Sequence, residues 1–342
     1  MKVLVTGASG MLGGAVATAL RARGDEVRVL QRRQSGLVGV DERRGDITDP
    51  GSVAAAAEGV DAVVHLAAKV SMTGPRQQFE HTNVRGTATL LAVAQAAGVT
   101  RFVHVSSPSV AHHGAGLVGV DAGTADPDRA RGNYARSKAS AELLALAADS
   151  ADFAVVALRP HLVWGPGDTQ LVSRIVERAR AGRLALVGQG AALIDTTYVS
   201  NAADALVAAL DRAAEVGVHG QAFVVTNGEP RTVRELVERI CVAAATTPPR
   251  FRVPVAVAKA GGAAVQRLWP ALRRTGEPPM TRFLAEQLST AHWFDQRRTR
   301  EALCWSPKVT LDEGFGRLTV AYRQEQRVHG RRQGPGAPPP SR

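Results

Sequence analysis

Tyr134 stands four places before Lys138 in the stretch "GNYARSKASAE" at residues 132 to 142. On a helix, positions i and i+4 share a face, so the lysine ammonium would lie beside the phenol and favour its ionised form. A phenol so placed can pass a proton to a carbonyl oxygen. The chain holds three tyrosines and five lysines in 342 residues, so the pairing calls for support from elsewhere. Some comes from "VSSPSV" at 105 to 110, which offers Ser107, with Ser106 and Ser109 as nearby rivals. A hydride reaching a carbonyl carbon leaves negative charge on the oxygen, which a serine donor and a lysine-activated phenol would stabilise as it develops.

Such chemistry needs a hydride source, and the first strand ends in "TGASGMLGG". Gly7, Gly10 and Gly13 are spaced to permit a tight turn, a close approach of a pyrophosphate and close helix packing, in that order. The N-terminus of the following helix would face the phosphates. Where the second strand, "EVRVL", ends, a fold selective for NAD would place an acid for the ribose 2'-hydroxyl. Here Gln31 is followed by Arg32 and Arg33, and a guanidinium can bind a 2'-phosphate, so NADPH/NADP+ is the expected cofactor. Asp46 in "GDIT" could meet the adenine edge.

These residues sit on a regular framework. Short β-branched runs alternate with alanine-rich stretches: "KVLVTG", a helix over 11–23, "EVRVL", a helix over 51–58, "DAVVHLAA", a helix over 83–97, "RFVHVSS", a helix over 134–148 and "FAVVALRP". This is the rhythm of an α/β protein with a Rossmann-type doubly wound parallel sheet. The expected organisation is a cofactor-binding domain over 1–165, with core strands partly shared with later segments. A smaller C-terminal substrate lobe follows over 166–322, and then a disordered basic tail over 323–342, rich in proline and glycine. Within the lobe, the apolar stretch 255–272 is too interrupted by Lys259, Gln266 and Arg267 to span a bilayer. It reads as a substrate lid, a peripheral membrane contact or a core helix.

Composition narrows the partners. The net charge is +11, but five arginines and one glutamate of that balance lie in the tail, and only 4% of residues are aromatic, so a nucleic-acid platform is not expected. Cys241 and Cys304 have no partners at metal-ligand spacing, and His65, His104, His112, His113 and His161 form no such set, so no metal site is expected. His65 and His104 lie in strands and read as satisfied core or cofactor-pocket histidines. Arg159 can be read either as a substrate-carboxylate partner or as structural. "MKVLVTG" leaves no room for a signal peptide, and a cytoplasmic location is the expectation.

Taken together, the glycine loop, "HLAA" at 65–68, "NVRGT" at 83–87, "VSSPSV" and "YARSK" resemble an extended short-chain dehydrogenase/reductase of the 3β-hydroxysteroid dehydrogenase-like branch. The resemblance covers residues 1 to 322. "ALRPHLVWGPGD", "VTNGEP" and "GEPPMTRFLAEQLSTAHWF" narrow it to the bacterial 2-alkyl-3-oxoalkanoate reductases of long-chain olefin biosynthesis. The resemblance implies that Ser107, Tyr134, Lys138 and Asn83 are catalytic, Asn83 by supporting a water path to the lysine. It further implies cofactor contacts at Ser9, Met11 and Leu12 of the loop, at Ile47 and Ala67, at Pro160 and Val163 beside the nicotinamide, and at Tyr134 and Lys138 themselves. The implied substrate is a hydrophobic small molecule, with a homodimer and assembly with other enzymes of the pathway as expected partners. A steroid dehydrogenase and a non-catalytic NADPH-sensing scaffold are the alternative readings.

Overall fold

The computed structural model describes residues 1–71, 73–269, 278 and 280–332. Seven parallel strands form the central sheet, in the spatial order Ala222–Val225, Ala154–Pro160, Arg101–Val105, Ala62–His65, Lys2–Thr6, Glu26–Gln31 and Asp41–Arg44. A strand covered on both faces reads as a continuous apolar run, as Val3, Leu4 and Val5 do, all fully buried. Successive side chains point to opposite faces. Val3 and Val5 therefore meet the core containing Val16 and Leu20 of helix Met11–Ala22 and Leu206 and Leu210 of helix Val199–Arg212. Leu4 meets the opposite core, built with Val53, Leu90, Phe102 and Ala145. The strand order reverses at the first strand, and the carboxyl ends of Lys2–Thr6, Ala62–His65 and Arg101–Val105 lie side by side there, where ligands bind in such sheets.

Several expectations are corrected here. The sheet extends beyond residue 165, where strand 222–225, from the later segments expected to share in the core, pairs with Ala154–Pro160 and forms its outer edge. Phe223, Val224 and Val225 are each at most 1% exposed: Phe223 and Val225 join the core that contains Leu206 and Leu210 of helix Val199–Arg212, and Val224 packs with Ala122 and Phe294 on the other face. The helix expected over 83–97 begins instead as a π-helix, Glu80–Arg85, before continuing as Gly86–Ala96. At Gly86 a Cβ would lie 2.6 Å from Ile47 Cδ1, so the glycine lets this helix seat closely on the strand ends. The expected disordered tail is also shortened, since helix Leu311–Arg332 runs through 323–332. Arg, Gln and Glu extend an already nucleated helix at little cost, and the prolines lie further on. Residues 333–342 lie outside the described residues.

The lobe has its own small sheet, ordered Arg231–Thr232, Leu193–Ile194, His292–Phe294 and Leu117–Val120. Its core gathers Trp164, Ile194, Tyr198, Ile240, Leu311 and Phe315, with Trp164 stacked on Phe315 at a 4.5 Å centroid distance. Strand Leu117–Val120 comes from between Ser107 and Tyr134, so the lobe is built partly from the half of the chain that carries the central sheet. Asn201 and Asn227 fasten the two parts: Asn201 Nδ2 donates to Asn227 Oδ1 at 3.0 Å and to the Val309 carbonyl at 2.7 Å. Helix Val255–Leu268 buries only Ala258 and Gly262 and packs on helix Arg282–Ser289. Residues 270–272 of the stretch expected to reach Leu272 lie outside the described residues.

The glycine loop gives the fold's sharpest steric demand. A Cβ on Gly13 would sit 2.3 Å from the Gly7 carbonyl oxygen and 2.9 Å from Ala8 Cα, whereas one on Gly10 would come no closer than 3.4 Å to anything. Gly13→Ala should therefore destabilise the fold by about 1–3 kcal/mol in urea unfolding. Gly10→Ala, at an ordinary extended φ of −83°, should change stability by less than about 0.5 kcal/mol.

Candidate active site

Helix Asn133–Ala147 places Tyr134 and Lys138 one turn apart, both facing the carboxyl end of the sheet. Lys138 is 3% exposed, and its ammonium donates to the Val105 carbonyl at 2.5 Å and to His104 Nε2 at 3.4 Å. Burial pulls its pKa down to about 8, opposed by the attraction of Glu142. Tyr134 is half-buried, and desolvation of the phenol raises its pKa, with a hydrogen bond to Ser107 acting in the opposite direction. This corrects the simple picture of a phenol held ionised by its lysine. The ammonium is turned to the strand behind it, and burial decides the direction of the shift at Tyr134.

Of the three serines, Ser107 is the one whose hydroxyl acts on the Tyr134 phenol, lowering its pKa against the effect of burial. It sits at the start of the 3₁₀ turn Pro108–Ala111, with its hydroxyl 3.0 Å from that of Ser109. Ser106 is buried, and its hydroxyl has no hydrogen-bond partner. Ser107 and Tyr134 thus present two hydroxyls together, with the Lys138 cation recessed behind them.

Asn83, which the resemblance places on a water path to the lysine, makes three direct bonds of its own. Its Oδ1 accepts from Lys69 N–H at 2.6 Å, and its Nδ2 donates to the Lys69 carbonyl at 3.2 Å and to Ser137 Oγ at 2.9 Å. Ser137 in turn donates to the Tyr134 carbonyl at 2.8 Å. Asn83 therefore ties the loop after strand Ala62–His65 to the first turn of the Tyr134 helix. A second chain runs beside it. Thr6 Oγ1 accepts from Ala67 N–H at 3.1 Å and contacts His65 Nδ1 at 2.7 Å, while His65 Nε2 lies 2.9 Å from Thr87 Oγ1. Thr87 gives its proton to the Asn83 carbonyl at 2.7 Å, so it accepts from His65 Nε2–H, and His65 Nδ1 accepts from Thr6. The histidine is neutral, with burial and then the Lys138 charge pushing it down to about 3.

The glycine loop fits a dinucleotide. Gly7 has φ +77°, and a Cβ there would strike Ala67 N at 2.8 Å. Gly10 and Ser9 are exposed, Met11 and Leu12 partly so, and no side chain caps the helix that begins at Met11. Its leading N–H groups are open to an anion. Gly10 lacks a side chain although nothing in the protein would collide with one, as expected where a ligand approaches the backbone. Gln31, 6% exposed, lies beside Glu42, and neither amide atom makes a hydrogen bond of normal geometry. A buried amide left this way is suited to a polar ligand. Arg32 is exposed and its field reaches Asp46; burial opposes ionisation of that carboxyl, but hydrogen bonds from Thr48 N–H and Oγ1 at 3.0 and 2.8 Å outweigh it and hold the pKa low. Ile47 turns its side chain into the core, so only its backbone can meet a ligand. Pro160 ends its strand, buried, and Val163 is half-buried on the two-residue strand Val163–Trp164.

Arg159 proves structural. It is 1% exposed and grips Glu142 through two bonds, Nε to Oε2 at 2.8 Å and Nη2 to Oε1 at 2.5 Å, while Nη1 donates to the Ala122 carbonyl. Sequence reasoning passed over several further residues. His104 and the Val105 carbonyl carry no sequence signal as lysine partners, whereas Glu142 stands at i+4 from Lys138 in the same stretch that revealed Tyr134. His161 Nδ1 lies 2.6 Å from the Asp195 carbonyl, and Leu162, just beyond it, adopts φ +41°. Among the described residues, no cluster of three or more His, Cys, Asp or Glu could hold a metal, and no helix is long and apolar enough to cross a membrane.

Comparison with known proteins places this geometry in a family. The profile of the NAD dependent epimerase/dehydratase family matches residues 3–226. A 2-alkyl-3-oxoalkanoate reductase from Stenotrophomonas maltophilia is 43% identical over 94% of this chain and 99% of its own length. A 3 beta-hydroxysteroid dehydrogenase/Delta 5-->4-isomerase from Mycobacterium tuberculosis is 32% identical over 94% of this chain and 90% of its own. Among solved structures, MoeE5 in complex with UDP-glucuronic acid and NAD is 27% identical with a TM-score of 0.71, covering 95% of this chain and 100% of that one.

The Asn83 clamp gives a direct test. Asn83→Ala would leave the Lys69 N–H and carbonyl without partners, at a cost of about 1–3 kcal/mol. Thermal unfolding should show that loss. Because the freed loop also packs on Gly7, the stabilisation conferred by a nicotinamide dinucleotide in the same scan should shrink.

Proposed function

The chain belongs to the NAD dependent epimerase/dehydratase family, and we propose that it reduces the 3-keto group of long-chain 2-alkyl-3-oxoalkanoic acids with NADPH, giving the 2-alkyl-3-hydroxy acids. The observation that carries the reading is the pair of hydroxyls, Ser107 and Tyr134, backed by a buried lysine at the carboxyl end of a sheet whose first loop is open to a dinucleotide. The substrate class rests on the 43% identity to the Stenotrophomonas reductase across nearly the whole of both chains. A place in long-chain olefin biosynthesis is proposed from the resemblance carried by "ALRPHLVWGPGD", "VTNGEP" and "GEPPMTRFLAEQLSTAHWF".

When bound, the reduced nicotinamide supplies a hydride to the carbonyl carbon. The protein's own residues manage the charge this creates. Tyr134 keeps its proton at neutral pH because burial raises the phenol pKa, so it can serve as the acid that protonates the carbonyl oxygen. Ser107 holds that oxygen from a second direction, and the Lys138 cation, recessed behind both, favours the tyrosinate left after proton transfer. The cation persists below its pKa of about 8 and is lost above it, so turnover should fall on the alkaline side as Lys138 gives up its proton. NADPH is preferred over NADH because Gln31 removes the acid that would repel a 2'-phosphate and Arg32 offers a guanidinium.

Two measurements test the reading. Tyr134→Phe should lower kcat by about 10²–10⁴ while leaving NADPH affinity nearly unchanged. Normal turnover would remove Tyr134 as the acid, and a wild type that binds NADPH without consuming it would favour a cofactor-sensing role. Wild type should consume NADPH with a long 2-alkyl-3-oxo acid, and a clear preference for a 3-ketosteroid would move the assignment to a steroid dehydrogenase like the mycobacterial relative. In the same assay Arg32→Ala should raise KM for NADPH far more than for NADH, and equal changes would overturn the cofactor preference.

A further inference from the structure

Tyr134, Lys138 and Glu142 stand at i, i+4 and i+8 on one helix, and Glu142 is 1% exposed. A carboxylate so deep in the protein is costly unless paired. Arg159, on the adjoining strand Ala154–Pro160, pairs it through both carboxylate oxygens, and the third arm of that guanidinium is fixed to the Ala122 carbonyl. Glu142 is therefore held from the strand side, which keeps its charge one turn from Lys138. We infer that the Glu142–Arg159 pair is a positioning device for the reductase site, in which Arg159 fixes Glu142 so that Glu142 keeps the buried Lys138 protonated beneath Tyr134.

The surroundings of Lys138 show why such a device is needed. From strand Arg101–Val105 it meets the neutral His104 and the Val105 carbonyl. From strand Ala62–His65, His65 lies close enough to feel its charge and is itself uncharged. From its own helix come the protonated Tyr134 and Glu142, and from strand Ala154–Pro160 comes the Arg159 cation behind Glu142. Among the described residues, Glu142 is the carboxylate that acts on the ammonium, and it opposes the loss of water that drives the pKa down. Removing its charge while leaving Arg159 would give Lys138 a buried cation for a neighbour.

The inference rests on the reductase reading of Tyr134 and Lys138, and its test is independent of turnover. With five lysines in the chain, protein carrying ε-¹³C-lysine gives few signals, and Lys138 is assigned by its loss in Lys138→Met. Glu142→Gln should lower the titration midpoint of Lys138 by about one pH unit or more. The alkaline limb of kcat should move down by the same amount, with kcat at the acid end and NADPH affinity kept. Replacing the pair together, Glu142→Met with Arg159→Met, should preserve folding and lower the midpoint by less, since the Arg159 charge is gone as well. This double variant decides the matter if Glu142→Gln fails to fold. A Lys138 midpoint and alkaline limb unmoved in these variants, with only thermal stability reduced, would overturn the inference and leave the pair purely structural. Wild type that fails to consume NADPH with a 2-alkyl-3-oxo acid would instead overturn the reductase reading while leaving the lysine titration as found.

Discussion

A single buried ammonium organises this molecule. Lys138 sits almost out of reach of water, and a cation in that position must be given oxygen and nitrogen acceptors and at least one carboxylate in its field. The Val105 carbonyl and His104 come from one strand, Glu142 from the helix that carries the lysine, and Arg159 from the next strand over. Meeting these requirements brings the Tyr134 helix against the strand that ends in Ser107. The two hydroxyls of the candidate site therefore meet as a consequence of how the charge beneath them is satisfied.

The cofactor side is built on contact at the backbone level. Gly7 and Gly13 are forced by neighbours at 2.8 Å and 2.3 Å, while Gly10 is left bare toward solvent. The loop that presses on Gly7 is the one held by Asn83 through Lys69 and by Thr6 through Ala67. The Thr6–His65–Thr87 chain joins the same loop to the π-helical turn holding Asn83. A change on the loop is thus transmitted to the start of the Tyr134 helix through hydrogen bonds whose directions are fixed by the donors available. The π-helix lets Asn83 face inward there, a use of irregular helix often found at functional sites.

The lobe is coupled to this centre by buried polar groups. Asp195, fully buried, accepts from Thr226 Oγ1 at 2.6 Å and from the N–H groups of Gly228 and Glu229 at 3.1 and 3.2 Å, while its own carbonyl lies against His161. Burial pushes the Asp195 carboxyl up to about 6 despite those bonds. Helix Arg282–Ser289 closes the other side, where Glu286 takes both oxygens to Arg131 at 2.9 Å, three residues before Tyr134. The substrate side of the site is therefore attached at both ends of the segment that carries its catalytic groups.

Much of this was legible in the chain alone. The strand-helix alternation, the glycine spacing and the Tyr134–Lys138 interval are local patterns, each fixed by a period of two, a period of 3.6 or a steric demand at one residue. Those patterns identified the parallel sheet, the glycine loop and the helix that carries Tyr134 and Lys138. They did not disclose that strand 222–225 closes the sheet, because an apolar tetrapeptide has no sign of which edge it joins. They left Arg159 between two roles, since the same residue before a proline can face a substrate or an internal carboxylate, and only the packing of strand on helix put Glu142 opposite it. The ionisation of Tyr134 was misjudged from spacing for the same reason. Proximity along a helix is set by sequence, but the loss of water around a phenol, and the carbonyl to which a lysine turns, are decided by elements that come together from distant parts of the chain.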